Sequence, residues 1–312
     1  MNIVKIFNKL GKYIISQDFR FNVNSMLGLY DRISDDVFLR KKFKVKMGKN
    51  LDLENPITFN EKLQWLKLFD RKPEYTMMVD KYLVREYVKE KLGEEYLIPL
   101  LGVWDSPEEI DFNALPDKFV IKCNHNSGLG MYICKDKNKI NIESVKSELK
   151  KGLAQNYYLL GREWPYKDVP RKIIAEQYME DESTSELTDY KFFCFNGEPK
   201  MILVCSNRFS PSGLRENFYD LDWNLLPVQR PKHPNSDNAI KKPETLGEMI
   251  RLAKVLAEDI PFSRIDFYNV GNRIYFGEIT FFPASGMESF CPEEWDKIFG
   301  EWLKLPRVIE RK

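Results

Sequence analysis

Apolar positions along this chain recur with two different periods. In "NPITFNEKLQWLKLFD" they return every three or four residues, so Leu63, Leu66 and Phe69 share one helical face, with Thr58 and Glu61 at capping-box spacing ahead of them. "EYTMMVDKYLVREYVKEKLG" predicts a second helix, and residues 142–158 and 244–258 predict two more. From about residue 95 the texture changes to short β-rich runs. "YLIPLLGVW", "DKFVIKCN", "MYICKD" and "KIIAEQYME" predict strands, and "DYKFFCFNGEPKMILVCSNR" predicts two strands about an Asn196-Gly197 turn. "SRIDFYNVGNRIYFGEITFFPASG" adds a final hairpin. There are no repeats and no low-complexity segment. The mixture predicts an α+β fold in which a small β-rich lobe precedes a larger antiparallel-sheet lobe, not a regular βαβ series.

With 312 residues, 43% of them hydrophobic and 13% aromatic, the chain can bury more than one core. Lysine and arginine total 48 against 47 acids, a net charge of +1, which gives no case for a general nucleic-acid binder or a uniformly basic membrane coat. Recognition must be local. The five cysteines are not spaced as CxxC pairs and read as reduced core residues of a cytoplasmic protein. Two histidines, His125 and His233, do not support a multi-histidine zinc site or a Ser-His-Asp triad. No apolar run reaches spanning length and no signal peptide is expected. The opening "MNIVKIFNKLGKYI" is basic and amphipathic; it fits a helix docked on its own protein, or a peripheral contact of residues 1–16 with the inner face of a membrane.

The final hairpin carries Arg264, Asp266, Glu278 and Thr280 among aromatic neighbours. Strand side chains alternate faces, so parity decides whether the two acids can share a ligand. A two-residue Gly271-Asn272 turn would oppose Asp266 to Gly277 and send Glu278 to the other face. A three-residue loop with Gly271 or Asn272 in the left-handed conformation aligns all four side chains, and this register is expected. Two carboxylates so placed suit Mg²⁺, whose other ligands are commonly waters and substrate phosphates. An ordinary Arg264–Glu278 ion pair beside a solvated Asp266 fits the hairpin equally well.

Other polar residues interrupt apolar runs. In "DKFVIKCNHNSGLGMYIC", Lys122 ends a strand before Ser127, Gly128 and Gly130; such a loop can bring backbone amides to a phosphate, or can be a plain turn with a snorkelling lysine. Asp189 and Lys191 share one face of an aromatic strand, as a ligand pair or a cross-strand charge pair. Arg215 and Asn217 share a face in "LRENFYDLDWN", and the Asp220-Leu221-Asp222 spacing invites a glycosyltransferase DxD reading, although a turn ahead of Trp223 is more economical.

In order, "DKYLVREYV", "FVIKCNHNSG", "IIAEQYME", "DYKFFCFNGEPK", "NFYDLDWN", "SRIDFYN", "YFGEIT" and "FPASG" resemble the ATP-grasp superfamily over about residues 75–290, and the whole chain resembles its TupA-like branch, named for teichuronopeptide synthesis. The resemblance implies two β-rich lobes clasping a nucleotide: a mainly helical extension over 1–74, a small lobe over 75–165 with the phosphate loop, and a large lobe over 166–312 with hinge and metal site. It implies ATP and Mg²⁺, and ligation of a carboxylate to an amine through an acyl phosphate. By position, Lys122 and Lys81 correspond to phosphate-side lysines, with Ser127 and Gly128 in the loop that closes over the phosphates. Glu176, Gln177 and Met179 correspond to the adenine-reading hinge, Asp189 to a ribose acid, Lys191 to a basic position, and Arg215 and Asn217 to an Arg-x-Asn element near phosphates and metal. Asp266 and Glu278 match the metal carboxylates and Arg264 the arginine that steadies the transferred phosphoryl group, so Arg264, Lys122 and Lys191 are the expected catalytic cations. Thr280 stands where many relatives have asparagine and is a weaker metal ligand.

The resulting expectation is an ADP-forming carboxylate–amine ligase of cell-surface polysaccharide (capsule) or teichuronopeptide synthesis, acting on a uronic-acid or acidic amino-acid carboxyl. The substrates would be small molecules or glycans, with no nucleic acid. Arg208 and Arg162 are candidates to receive an acidic sugar, or are solvated surface arginines. Two other functions compete: a polysaccharide glycosyltransferase using Asp220 and Asp222, and a nucleotide-binding regulator without turnover.

Overall fold

The computed structural model describes residues 11–180, 187–207 and 213–307. Two antiparallel sheets organise the chain. Strands β1 (Leu100–Trp104), β2 (Phe119–Cys123), β3 (Met131–Cys134) and β4 (Ile173–Gln177) form one in the order β1-β4-β2-β3. Strands β5 (Asp189–Phe195), β6 (Glu198–Ser206), β7 (Arg215–Tyr219), β8 (Phe262–Val270) and β9 (Arg273–Thr280) form the other in the order β7-β6-β5-β8-β9. The helices used below are α1 (Gln17–Met26), α2 (Asp35–Met47), α3 (Phe59–Phe69), α4 (Glu74–Val79), α5 (Val84–Lys91), α6 (Ile142–Ala154), α7 (Tyr158–Gly161), α8 (Leu246–Leu256) and α9 (Trp295–Trp302). This is the α+β architecture that the two periods predict.

Each sheet has its own core; Cys123, Cys134, Cys194 and Cys205 are buried in these cores as expected, whereas Cys291 is exposed. Phe119, Ile121 and Cys123 alternate inward along β2 and meet Val145 and Leu149 of α6, so the four-stranded sheet is covered on that face. The five-stranded sheet is covered on both faces, which is why β5 and β6 read as nearly continuous apolar runs. Leu252, Ala253 and Leu256 of α8 lie on one side; on the other, Phe59 of α3 packs edge-to-face on Phe262 at 4.9 Å and on Phe299 of α9 at 6.0 Å. The capping box is formed: the Thr58 hydroxyl accepts from the Glu61 amide at 3.3 Å, and the Glu61 carboxylate accepts from the Thr58 amide at 2.9 Å.

The lobe boundaries differ from those expected. β4 pairs with β1 and β2, so residues assigned to the second lobe complete the first sheet. Tyr75, Met78, Val79, Val84 and Val88, assigned to the first lobe, are buried in the core of the five-stranded sheet. Periodicity identifies an apolar face without naming the surface that covers it. The helix expected over residues 74–93 is broken at Asp80, whose Oδ1 accepts from the amides of Tyr82 (2.8 Å) and Leu83 (3.3 Å) and from Asn124 Nδ2 (2.8 Å). The break lets the Lys81 amide donate to the Asn124 carbonyl at 3.2 Å, tying this helical segment to the first sheet. Among the described residues, no helix is long and apolar enough to cross a membrane.

Candidate active site

The register of the last hairpin opposes Arg264 to Thr280 and Asp266 to Glu278, so all four side chains share a face. The device differs from the expected three-residue loop. Val270 pairs with Arg273 across a two-residue turn in which Gly271 (φ 56°) and Asn272 (φ 61°) are both left-handed. A bulge at Gly277 then supplies the extra residue that restores parity, with Phe267 opposite Phe276 and Asp266 opposite Glu278.

The pairing extends the same face across β5, where Lys191 lies opposite Asp266. Arg264 grips Asp266 with two bonds of 2.7 Å and reaches Glu278 at 2.8 Å and Thr280 at 3.1 Å. Lys191 donates to the second oxygen of Asp266 and lies 3.2 Å from Asp189. Asp266 is therefore 1% exposed and doubly paired, not solvated. Burial alone would weaken the charges of Arg264 and Lys191, but the carboxylates beside them, Asp266 with Glu278 at Arg264 and Asp266 with Asp189 at Lys191, together outweigh it and hold both above their ordinary range. Burial would likewise raise Glu278; Lys81, Arg264 and Lys191 prevail and hold it down at about 2.

A cleft of about 330 Å³ opens at this edge, lined by Arg264, Glu278 and Thr280 on one wall and by Lys81 and Ser127 on the other. Lys81 Nζ donates to the Asn126 carbonyl at 2.7 Å. Asn124, His125 and Asn126 pin the base of the glycine-bearing loop: Asn124 Nδ2 bonds the Pro170 carbonyl (2.8 Å) and Asn126 Nδ2 bonds Gln155 Oε1 (3.0 Å). Ser127 and Gly128 (φ 83°) stand exposed at its tip. Residues Asn124 and Asn126 escaped the sequence reading; their signal is a polar run directly after an apolar strand.

Several expected positions are placed differently. Lys122 pairs with Glu176 at 2.6 Å on the face of the first sheet turned away from α6, and Arg85 reaches the same carboxylate at 3.3 Å. Glu176 is thus already held by two cations. Gln177 points to the opposite face from Glu176 and is exposed, its amide donating to the Pro99 carbonyl at 3.0 Å; Met179 follows the strand and is half-buried. Arg215 and Asn217 do not join the cluster. They pair with Ser206 and Val204, whereas the chain of partners from Lys191 and Asp189 runs through Leu203 and Cys205 to Phe218 and Glu216. The inner face of β7 therefore carries Glu216, held by Arg230 at 3.3 Å, while Asn217 accepts from the Ser236 amide on the outer face. Arg162 is buried, lies 4.5 Å over the Phe38 ring and bonds the Tyr30 carbonyl, so it receives no sugar; Arg208 lies outside the described residues. Asp220 closes its own turn, accepting from the amides of Asp222 (3.0 Å) and Asn224 (2.7 Å) and from Asn224 Nδ2 (2.9 Å), which uses the DxD pair as a turn.

The donor set suits a hard cation. Asp266, Glu278 and the Thr280 hydroxyl offer oxygen only, and the Glu278 side chain is 38% exposed to the cleft. Across the gap, Lys81 and the exposed Ser127-Gly128 amides suit phosphate oxygens.

The TupA-like ATPgrasp family model matches residues 61–304. No curated protein matches the chain in sequence. Similar solved structures include D-alanine–D-alanine ligase from Bacillus anthracis complexed with ATP (14% identity, TM-score 0.39, 65% of this chain and 53% of that one). They also include D-alanine–D-alanine ligase from Helicobacter pylori (14%, 0.41, 79% and 69%) and the D-cycloserine synthetase DcsG (15%, 0.41, 74% and 70%). The chain spans about half of the first of these and just over two thirds of the others. ATP-grasp proteins are ATP-dependent ligases that form C–N bonds with release of ADP, and ATP with Mg²⁺ is typical of them. The family match runs from α3 to just beyond α9 and takes in both sheets and the cleft between them: the chain belongs to the TupA-like ATP-grasp family.

Proposed function

We propose that this protein is an ADP-forming carboxylate–amine ligase whose cleft joins a uronic-acid or acidic amino-acid carboxyl to an amine, in the synthesis of a cell-surface polysaccharide or teichuronopeptide on the cytoplasmic side of the membrane. The observation that carries the reading is the Arg264–Asp266–Glu278–Thr280 face turned toward Lys81 across one cleft. A carboxylate is a poor electrophile, and transfer of the γ-phosphoryl group of ATP converts it to an acyl phosphate that an amine can attack. Arg264 lies where it can offset charge on the transferred group, Lys81 faces it from the opposite wall, and Lys191 holds Asp266 in place from beneath. Asp266, Glu278 and Thr280 are the residues that would hold Mg²⁺, which supplies neutralisation between phosphate oxygens when bound. Lys122 and Glu176 form the far side of the nucleotide path, Glu176 orienting the lysine. The expected contact of residues 1–16 with a membrane remains part of this proposal only through the exposed Ile14 and Ile15, since residues 1–10 lie outside the described chain.

The test is ADP release from MgATP over a panel of uronic acids and acidic amino acids with amines, with the product mass read by mass spectrometry. Substrate-dependent release that falls to background in Asp266→Asn and persists in Asp220→Asn is expected. The reverse pattern, or release that no carboxylate stimulates, overturns the proposal.

A further inference from the structure

Beyond Arg264 the cleft continues into a wall that the ligase reading leaves unused: Lys42 of α2, the turn after α7 with Glu163, and the segment 283–286. Glu163 is 6% exposed, yet among the described residues its carboxylate has no ion-pair partner; the Ser285 hydroxyl lies beside it across Gly161. A carboxylate taken out of water without a direct counter-charge either carries a proton or awaits a cationic ligand. Burial accordingly raises Glu163 above the ordinary carboxylate range, against the more distant pull of Lys67, Lys42 and Arg264.

The neighbouring backbone is built to hold this arrangement. Ala284 (φ 50°), Ser285 (φ 57°) and Gly286 (φ 61°) are left-handed in succession, a strained path for two non-glycine residues. Lys67, fully buried, straps it down, donating to the Ser285 carbonyl (2.8 Å), Ser285 Oγ (3.0 Å), the Gly161 carbonyl (2.8 Å) and Gln64 Oε1 (3.0 Å). Four acceptors occupy that ammonium, so it does not serve as a direct partner for Glu163. Gly161 is required on the other side, since a Cβ there would stand 2.2 Å from Ser285 Oγ and 2.9 Å from Glu163 Oε1. Tyr157 and Tyr166 complete the wall.

We infer that Glu163 is the catalytic group that receives the ammonium of the amine substrate and takes its proton. This role for Glu163 rests on the ligase reading. The step balances as follows: R–NH₃⁺ gives a proton to the Glu163 carboxylate, the neutral amine attacks the acyl-phosphate carbonyl, the C–N bond forms and the C–O bond to phosphorus breaks. The departing phosphate takes the electron pair and the second amine proton; Glu163 releases its own proton to solvent. Ser285 is a positioning residue for the carboxylate.

The experiment compares two nucleophiles on the same acyl phosphate, formed from MgATP with D-glucuronate or L-glutamate. Hydroxylamine is neutral at pH 7 and needs no base; ammonium chloride must lose a proton. In Glu163→Gln the ratio of amide to hydroxamate at pH 7 is expected to fall about 100-fold. Its amide rate should then track free ammonia, rising about tenfold per pH unit, whereas the wild-type rate is much flatter. Ser285→Ala, which keeps the carboxylate, should show a smaller fall in the same ratio and covers the case in which Glu163→Gln folds poorly. An unchanged ratio and pH slope in both variants overturns the assignment. Equal loss of amide and hydroxamate in both also overturns it, placing Glu163 in the phosphoryl half-reaction. A wild-type enzyme that forms no hydroxamate with either acid counts against the ligase reading, and this assignment falls with it.

Discussion

Replacing Arg264 with methionine removes the side chain that joins Asp266 to Glu278, and the structure sets the size of the effect. Four hydrogen bonds are lost, two to Asp266 and one each to Glu278 and Thr280. Asp266 then keeps Lys191 alone, a lysine that already lies 3.2 Å from Asp189. Removing one partner of a buried ion pair costs about 3–5 kcal/mol. Because Lys191 remains and the Glu278 side chain is 38% exposed and screened by solvent, the lower end, about 3 kcal/mol, applies. Asp266→Asn should cost less, about 1–2 kcal/mol, because Arg264 keeps Glu278 and Lys191 keeps Asp189. Urea unfolding followed by tryptophan fluorescence measures both. The methionine variant also leaves two carboxylates facing each other, so Mg²⁺ without nucleotide should restabilise it, by about 1.4 kcal/mol at a tenfold excess over its Kd. The asparagine variant should gain much less. Equal losses in the two variants, or a methionine variant indifferent to Mg²⁺, would refute the idea that Arg264 is the counter-charge of a two-carboxylate cation site.

Three further outcomes are expected. Asp220→Ala should lower stability by about 1 kcal/mol through its lost turn bonds while ADP release stays at the wild-type rate; a large fall in release would return Asp220 to the chemistry. Gly300→Ala should cost about 2–3 kcal/mol in thermal unfolding, because a Cβ there would stand 2.1 Å from the Ile57 carbonyl oxygen at the junction of α9 with α3, and an unchanged Tm would show that the junction yields. Glu278 is depressed in the folded state from 4.5 to about 2, so its contribution is complete above 4.5 and is lost as pH falls through 2. The stability difference between wild type and Glu278→Gln should shrink across that window; growth on acidification would contradict the assignment.

What the sequence discloses depends on how local the physics is. The Thr58–Glu61 capping box is a four-residue event and is read directly. Arg264, Asp266, Glu278 and Thr280 are brought together as expected, but by a different route. Gly271 and Gly277 both offer a place for the extra residue, and nothing local to either one chooses the bulge over the longer loop. Arg215 and Asn217 fail for a related reason: a strand's own alternation shows that they share a face, while the pairing of β7 with β6 decides that it is the outer one. Glu163, Lys42 and Ser285 come from three distant segments, and their only trace in the sequence is a charged pair, Arg162-Glu163, squeezed between Gly161 and Pro165.

That last group changes what the first seventy residues are for. The helical region ahead of the sheets could be an appendage, since its periodicity says only that it has an apolar face. Yet Phe59 and Leu63 are buried in the core of the five-stranded sheet, and Gln64 and Lys67 on the same helix hold the carbonyl of Ser285. Burial pulls the Lys67 ammonium down to about 7, so the protein carries an unfavourable charge in its interior at neutral pH. In the unfolded chain Lys67 would keep its proton up to 10.5; the burden is therefore full below 7 and is relieved as pH rises through that window. A leucine or methionine at that position would remove the penalty, but it would also release the left-handed segment that orients Ser285. The charge is best explained by the geometry it enforces: α2 and α3 brace the part of the cleft that carries Glu163 and Ser285, beside the wall that the hairpin supplies.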